Sequence, residues 1–329
     1  MTGRNSKVIV LVLLATLSSG CNIVAAHFYN ARGLASYHKG DYEHALTDFN
    51  EAIRLYSSFA EAFTNRGLVF DATGDYNRAI ADHDRAIMLK PTLALAFSNR
   101  GHVFYRKGEY DNSIVDYDKA LRLDPRLASA YSNRGLAYYQ KGDFGQAITD
   151  CSEAINRDPK MAIAWNNRGL AYYKQGNSVQ ALSDFNESLR LDPKSATAHT
   201  NRGLVYYSEK DLDLAISDLD EAVRLAPQDF KAYQTRGKTY EAKGDFDRAI
   251  ADFNRAINIA PTLIDTYFAR GICYQKKGNK EAAAGDFQWI LRELPERCRS
   301  LRSPQVTSPN WIKEFQLIVS ALDAFLISL

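Results

Sequence analysis

Five asparagines recur at a spacing of 34 residues: Asn65, Asn99, Asn133, Asn167 and Asn201. A side-chain amide donates and accepts hydrogen bonds together, so a row of them matches the donors and acceptors along an extended peptide backbone. Two charged columns keep the same spacing. Arginine recurs from Arg32 to Arg270 and aspartate from Asp48 to Asp286, each eight times. Guanidinium and carboxylate pair bidentately, and matched acids neutralise a cationic strip. The expectation is an internal Arg–Asp ladder between two helices, with a cationic surface for acidic ligands as the alternative.

No reaction centre assembles from the remaining residues. The six histidines, His27, His38, His44, His83, His102 and His199, fall at different places in the 34-residue frame, so they build no repeated site. There is no metal-ligand spacing, phosphate loop or nucleophile elbow. The expectation is therefore no catalytic residue, no metal and no cofactor.

The frame itself is set by an Arg-Gly pair whose glycines run from Gly33 to Gly271 without a slip. A fixed period of this size means stacked copies of one small unit. With Ala26 as position 1, eight copies span residues 26–297. Position 4 is mostly aromatic, position 8 is glycine and position 11 is mostly aromatic, which places rings and glycine on one helical stripe. A "KGD"-like turn follows, its glycine suited to a left-handed helix end and its Asp or Asn to the next N-cap. The second helix alternates small residues and rings at positions 20, 24 and 27. Proline then ends seven of the copies, from Pro91 to Pro295; Ser57 replaces it in the first, and Lys210 replaces the turn glycine of the sixth.

An aromatic, then Gly, Tyr, Ala, Phe, Ala and Pro at these positions resembles the tetratricopeptide repeat family. The resemblance implies an all-α fold, a right-handed α-solenoid of helix-turn-helix units whose first helices line a concave side. The asparagine column, at position 6 and nearly opposite the core stripe, is similar to one lining the groove of the O-linked N-acetylglucosamine transferase superhelix, where it holds extended peptide. No transferase domain is present, so only the binding mode carries over. The competing reading is that each amide bonds to the adjacent helix and stabilises stacking. Position 12 adds Tyr105, Tyr139, Tyr173 and Tyr207, with Tyr37 earlier and Asp71 interrupting. Such rings give broad contact to a ligand or fill gaps between helices. A groove would centre on copies three to six.

Residues 1–20 are of another kind. Arg4 and Lys7 precede an apolar run from Val8 to Leu17, and small residues lead to Cys21. This is the pattern of an export signal, and its ending resembles a bacterial lipoprotein signal with Cys21 as the lipidated first mature residue. An ordinary cleaved signal and an uncleaved anchor are the alternatives. Asn22 after the cysteine favours, by that resemblance, the outer membrane and its periplasmic face. Without residues 1–20 the chain loses two of its 41 basic residues and none of its 39 acidic ones, and its net charge is zero. That balance, with no basic run, counts against nucleic acid as a partner. Cys151 reads as a buried thiol in a ring position, while Cys273 and Cys298 could pair in an oxidising compartment.

Residues 298–310 read as a linker, and 311–329 as an amphipathic helix with Trp311, Phe315, Ile318, Leu322 and Phe325 on one stripe. The default is a cap on the eighth copy; alternatives are a segment folded into the groove or a homodimer contact. The combined expectation is a non-enzymatic, exported scaffold that binds protein or peptide partners, held to the membrane by its lipid alone. By resemblance to other tetratricopeptide lipoproteins, it would serve cell-wall hydrolases, outer-membrane assembly, or a secretion or pilus apparatus. A self-associating protein whose groove its own C-terminal helix covers is the runner-up, and a carbohydrate binder the third.

Overall fold

A computed structural model describes the backbone of residues 3–300 and the side chains of residues 21–293. The leader side chains, the Cys298 side chain and the expected helix at 311–329 lie outside what the structure describes. All described regular structure is helical, in sixteen helices. The chain divides into two compact units, Met1–Gln175 and Gly176–Leu329. The first holds α1 (Gly3–His38), α2 (Tyr42–Leu55), α3 (Ala60–Ala72), α4 (Tyr76–Leu89), α5 (Ala94–Arg106), α6 (Tyr110–Leu123), α7 (Ala128–Lys141), α8 (Phe144–Arg157) and α9 (Ala162–Lys174). The second holds α10 (Ser178–Leu191), α11 (Ala196–Ser208), α12 (Leu212–Leu225), α13 (Phe230–Ala242), α14 (Phe246–Ile259), α15 (Ile264–Lys276) and α16 (Lys280–Ser300). Among the described residues no helix is long and apolar enough to cross a membrane.

Within each unit the two helices of a copy pack as a hairpin, and the second helix packs on the first helix of the next copy. First helices also touch one another, α3 on α5 and α7 on α9 in the first unit and α11 on α13 in the second. They therefore form the closer-spaced row, as expected for the inner side of a curved stack. The architecture is an all-α solenoid.

The period follows from a few contacts. The position-24 side chain sits over the position-8 glycine of its own copy, where no side chain would fit. A Cβ on Gly135 would lie 2.8 Å from Cys151 Sγ and 3.1 Å from the Ala147 carbonyl. Phe49 and Phe253 fill this place elsewhere and are fully buried, as are Tyr117 and Leu219. The turn aspartates cap their helices: Asp75 accepts from the Arg78 N–H at 3.0 Å and Asp143 from the Gln146 N–H at 3.0 Å.

The Arg–Asp ladder is present, and it does more than join two helices. In seven copies, Arg32 through Arg270 excluding Arg168, Nε and Nη2 donate to both oxygens of the Asp sixteen residues on. The distances run from 2.5 to 2.9 Å, as in Arg134 to Asp150 at 2.7 and 2.6 Å. The third nitrogen, Nη1, reaches back to the previous copy: Arg100 to Asp84 at 2.5 Å, Arg134 to Asp118 at 2.5 Å and Arg236 to Asp220 at 2.7 Å. Arg168 makes the same backward contact to Ser152 Oγ at 3.1 Å. Most of these guanidinium groups also lie against the aromatic ring three residues before them, Arg134 over Tyr131 at 5.5 Å, whereas Arg202 lies over Tyr206 at 6.0 Å. The arginine is a rivet between copies: burial works against its charge, but the paired carboxylates outweigh it and hold Arg134 and Arg236 protonated above the usual guanidinium range.

The helix ends add detail to the sequence reading, and one of them departs from it. Pro295 does not end the last helix: α16 continues through it to Ser300, three residues into the expected linker. A proline inside a helix removes one N–H bond, and the other backbone bonds of the segment still carry the helix. Conversely, α2 ends at Leu55 without a proline; the Tyr56 N–H still bonds the Ala52 carbonyl at 2.9 Å, and the Phe59 N–H closes the following turn on the Tyr56 carbonyl at 3.0 Å. At the N-terminus, α1 begins at Gly3 and runs without a break through Cys21 into the first copy.

Lys210 occupies the left-handed turn position with φ +71°, whereas seven other turns use glycine at φ +78° to +82°. A side chain there costs about 1 kcal/mol of strain. Lys210→Gly is expected to stabilise the second unit by roughly 0.5–1 kcal/mol, since part of the relief is offset by glycine's unfolded entropy. A urea melt that shows Lys210→Gly less stable would refute this.

Candidate peptide-binding surface

The site begins with the row of first helices. In the first unit, position 6 carries Asn65 on α3, Asn99 on α5, Asn133 on α7 and Asn167 on α9; Asn201 lies on α11 of the second unit. The structure uses them differently. Asn65 Nδ2 donates to Asn30 Oδ1 of α1 at 2.8 Å, and Asn167 Nδ2 donates to Ser132 Oγ of α7 at 3.2 Å. Asn167 is buried at 4% exposure and also accepts from Asn166 Nδ2 at 3.3 Å. It does not face away from its neighbours as the helical wheel suggests, because α7 and α9 touch and position 6 meets position 5 of the preceding first helix. Asn201 is half-buried and also engaged. Asn99 and Asn133 are half-buried and, among the described residues, make no side-chain hydrogen bond. Their amides retain full donor and acceptor capacity.

The position-12 tyrosines sit at the elbow of each hairpin. Tyr105 packs on Tyr110 with ring centroids 5.6 Å apart, and Tyr139 on Phe144 at 5.6 Å. The Tyr105 hydroxyl accepts from Gln140 Nε2 of α7 at 3.2 Å, which ties neighbouring first helices. Burial pushes both phenols above the usual tyrosine range. Tyr173 of α9 is also half-buried, and in the second unit Lys210 Nζ lies 5.7 Å from the Tyr207 ring centre. These rings serve packing first and present one edge outward.

A cluster that the sequence reading missed lies beside Asn99. Asp71, the residue that interrupts the tyrosine column, is 6% exposed. Its Oδ2 is 3.1 Å from His102 Nδ1, and Arg106 Nη1 donates to its Oδ1 at 3.3 Å and its carbonyl at 3.0 Å. An ionised carboxylate only accepts, so His102 holds its proton on Nδ1 toward Asp71. The signal was available: Asp71 and His102 each break a column of Tyr or of mostly Leu, in adjacent copies. The histidines share no repeat position, so no column of them points to it.

Elsewhere the surface is structural. The cleft bounded by Thr73, Asp75, Tyr76, Arg78 and Lys107 has a counterpart bounded by Lys243, Asp245, Phe246, Asp247 and Lys277, so it is the gap between turns of successive copies. Cys21 is exposed on α1. Cys151 is buried, and burial pushes the buried Cys273 thiol up to about 12. Among the described residues no group of three or more His, Cys, Asp or Glu side chains could hold a metal.

Stacked helix hairpins whose first helices form a polar, ring-lined row define a class of protein-interaction scaffold. The chain belongs to the tetratricopeptide repeat family. A TPR repeat model matches residues 33–74, 71–108, 101–142, 135–176 and 237–278, and a tetratricopeptide repeat model matches 166–230. Among curated proteins no significant match is found. Solved structures share the fold at low identity. Cut9 with Hcn1, an APC/C hetero-tetramer, aligns with TM-score 0.68 and 19% identity over 74% of this chain and 48% of that one. A tetratricopeptide repeat protein of Parabacteroides merdae aligns with TM-score 0.60 and 19% identity over 76% and 98%. PilF of Pseudomonas aeruginosa aligns with TM-score 0.55 and 22% identity over 63% and 94%. The chain thus spans about half the length of the first of these.

Proposed function

We propose that this protein is a non-enzymatic scaffold, exported and anchored through a lipid on Cys21, that binds an extended segment of a partner protein across the first-helix row of its first unit. The observation that carries the binding mode is the pair Asn99 and Asn133. Their amides are half-buried on neighbouring helices, the same helices that carry Tyr105 and Tyr139, and among the described residues they have no hydrogen-bond partner. Leaving such groups unbonded at a partly dry surface is unfavourable, and a peptide backbone supplies the missing partners. The export reading rests on the residues before and around Cys21. The cell-envelope role rests on that reading.

The test is a solid-phase array of capped twelve-residue peptides probed with the protein and with Asn99→Ala plus Asn133→Ala. Two lost hydrogen bonds predict about a tenfold or greater loss of affinity. Melting curves should coincide, because among the described residues neither amide bonds within the protein. Unchanged binding by a normally folded double variant would assign the column to helix stacking. Labelled palmitate that enters the wild type but not Cys21→Ala would support the anchor, and no incorporation in either would remove it.

A further inference from the structure

We propose that Arg106 is a subsite for one acidic side chain, Asp or Glu, of the bound segment; the proposal rests on the peptide-binding reading above. The inference starts from a costly choice. A carboxylate as buried as Asp71 is unfavourable unless fully bonded, and the corresponding residue of most other copies is a tyrosine that packs well. What Asp71 does is fix Arg106. It receives Arg106 Nη1 at its carboxylate and its carbonyl, while His102 Nδ1 secures its other oxygen. The Arg106 guanidinium also lies 5.2 Å from the Tyr76 ring centre. Asp71 is thus a positioning residue.

The held guanidinium has a spare edge. The ladder arginine of the same helix, Arg100, spends all three nitrogens on protein acceptors. Arg106 spends Nη1 alone; among the described residues its Nε–H and Nη2–H meet no acceptor, and the side chain is 37% exposed. Those two N–H groups form the parallel fork that a carboxylate accepts bidentately. Asn99, His102 and Arg106 follow at i, i+3 and i+7, so they lie on one face of α5. On α3 and α7 the residues equivalent to Arg106 are Ala72 and Gln140, and those equivalent to His102 are Leu68 and Leu136. On α9 the equivalent residue is Lys174, exposed, with no buried carboxylate held against it among the described residues. Arg106 is thus the cation held in place beside the free Asn99 amide, flanked by Ala72 and Gln140, which fits a segment that carries an acid at this point.

Two measurements on the full chain test this. In the first, acetate is titrated while Arg Nε–H resonances are followed by NMR. The Arg106 signal should move with saturation while that of Arg134, fully spent in the ladder, stays still. In the second, capped peptides selected on the array are compared with Glu and with Gln at each position. One position should show about a tenfold preference for Glu, as one charge-assisted pair provides. That preference should fall to about one in Arg106→Gln and to an intermediate value in Arg106→Lys, which keeps the charge without the fork. An unmoved Arg106 signal, or a Glu preference that survives Arg106→Gln, would overturn the subsite while neutral peptides still bind. A wild-type protein that binds no peptide removes the reading beneath it and the subsite with it.

Discussion

Asp150→Ala is expected to destabilise the first unit by about 3 kcal/mol, among the largest effects of any single change in this chain. Asp150 is 3% exposed and takes both remaining arms of Arg134, whose third arm is on Asp118 of the preceding copy. Removing the acid leaves a guanidinium that is itself only 18% exposed beneath the Tyr131 ring with half its partners gone. Asp118→Ala should cost less, about 1 kcal/mol, because Asp118 is 36% exposed and water can replace it. Replacing both partners, Arg134→Met with Asp150→Leu, should recover most of the loss, since an apolar pair leaves no buried charge unpaired. Hydrogen exchange of the α7 and α8 amides is the suitable measurement, because a solenoid opens locally as well as globally. A loss below about 1 kcal/mol for Asp150→Ala would show that the ladder is ornamental in this copy.

Acidification should weaken the first unit through His83. This ring stands in the position-24 place of copy two, fully buried, with neither nitrogen hydrogen-bonded. Burial pushes its pKa down to about 4, so the folded chain keeps it neutral while the unfolded chain protonates near the usual histidine value. The unfolded state then binds more protons between these two values, and stability falls as pH drops through that window. From pH 7 to pH 5 the loss is about 2 kcal/mol. His83→Phe should abolish that slope and raise stability at neutral pH by about 1 kcal/mol or more, because two unpaired polar atoms leave the core. Phe49 and Phe253 already occupy the same place over Gly33 and Gly237, so the ring fits. His199 of the second unit behaves oppositely. Its Nδ1 lies 3.0 Å from Asp218 and its Nε2 3.2 Å from the Pro193 carbonyl, and the Asp218 bond raises its pKa. Its contribution is complete below the usual histidine value and is lost as pH rises through the raised one. Melts of wild type and His83→Phe from pH 7 to pH 5 decide the matter; parallel slopes would assign the acid response to other groups.

Much of the fold was readable because the repeat compares eight copies of one solution. Glycine at position 8 and a ring at position 24 had to meet, and Gly135 under Cys151 shows why even a thiol could stand in. The Arg and Asp columns implied each other by charge. What was not readable was the third arm of the arginines from Arg66 onward, since its acceptor at position 25 is Asn, Asp or Ser and leaves no single-residue column. The same limit hid Asp71, His102 and Arg106. Asp71 and His102 depart from their columns one by one, Arg106 stands in a column with no dominant residue, and only the packing of α3 against α5 makes them a unit.

The sequence by itself determined the period, the hairpins, the buried rings and the ladder, because each depends on side chains within one 34-residue copy or on exact repetition between copies. The tertiary structure decided which asparagines are free. A helical wheel states where a residue points on its own helix, and Asn65, Asn99, Asn133 and Asn167 are alike by that measure. Whether an amide is spent depends on what the neighbouring first helix offers about 35 residues earlier: Asn30 for Asn65 and Ser132 for Asn167. That partner is a matter of packing between copies, and it leaves Asn99 and Asn133 as the pair with bonds still to make.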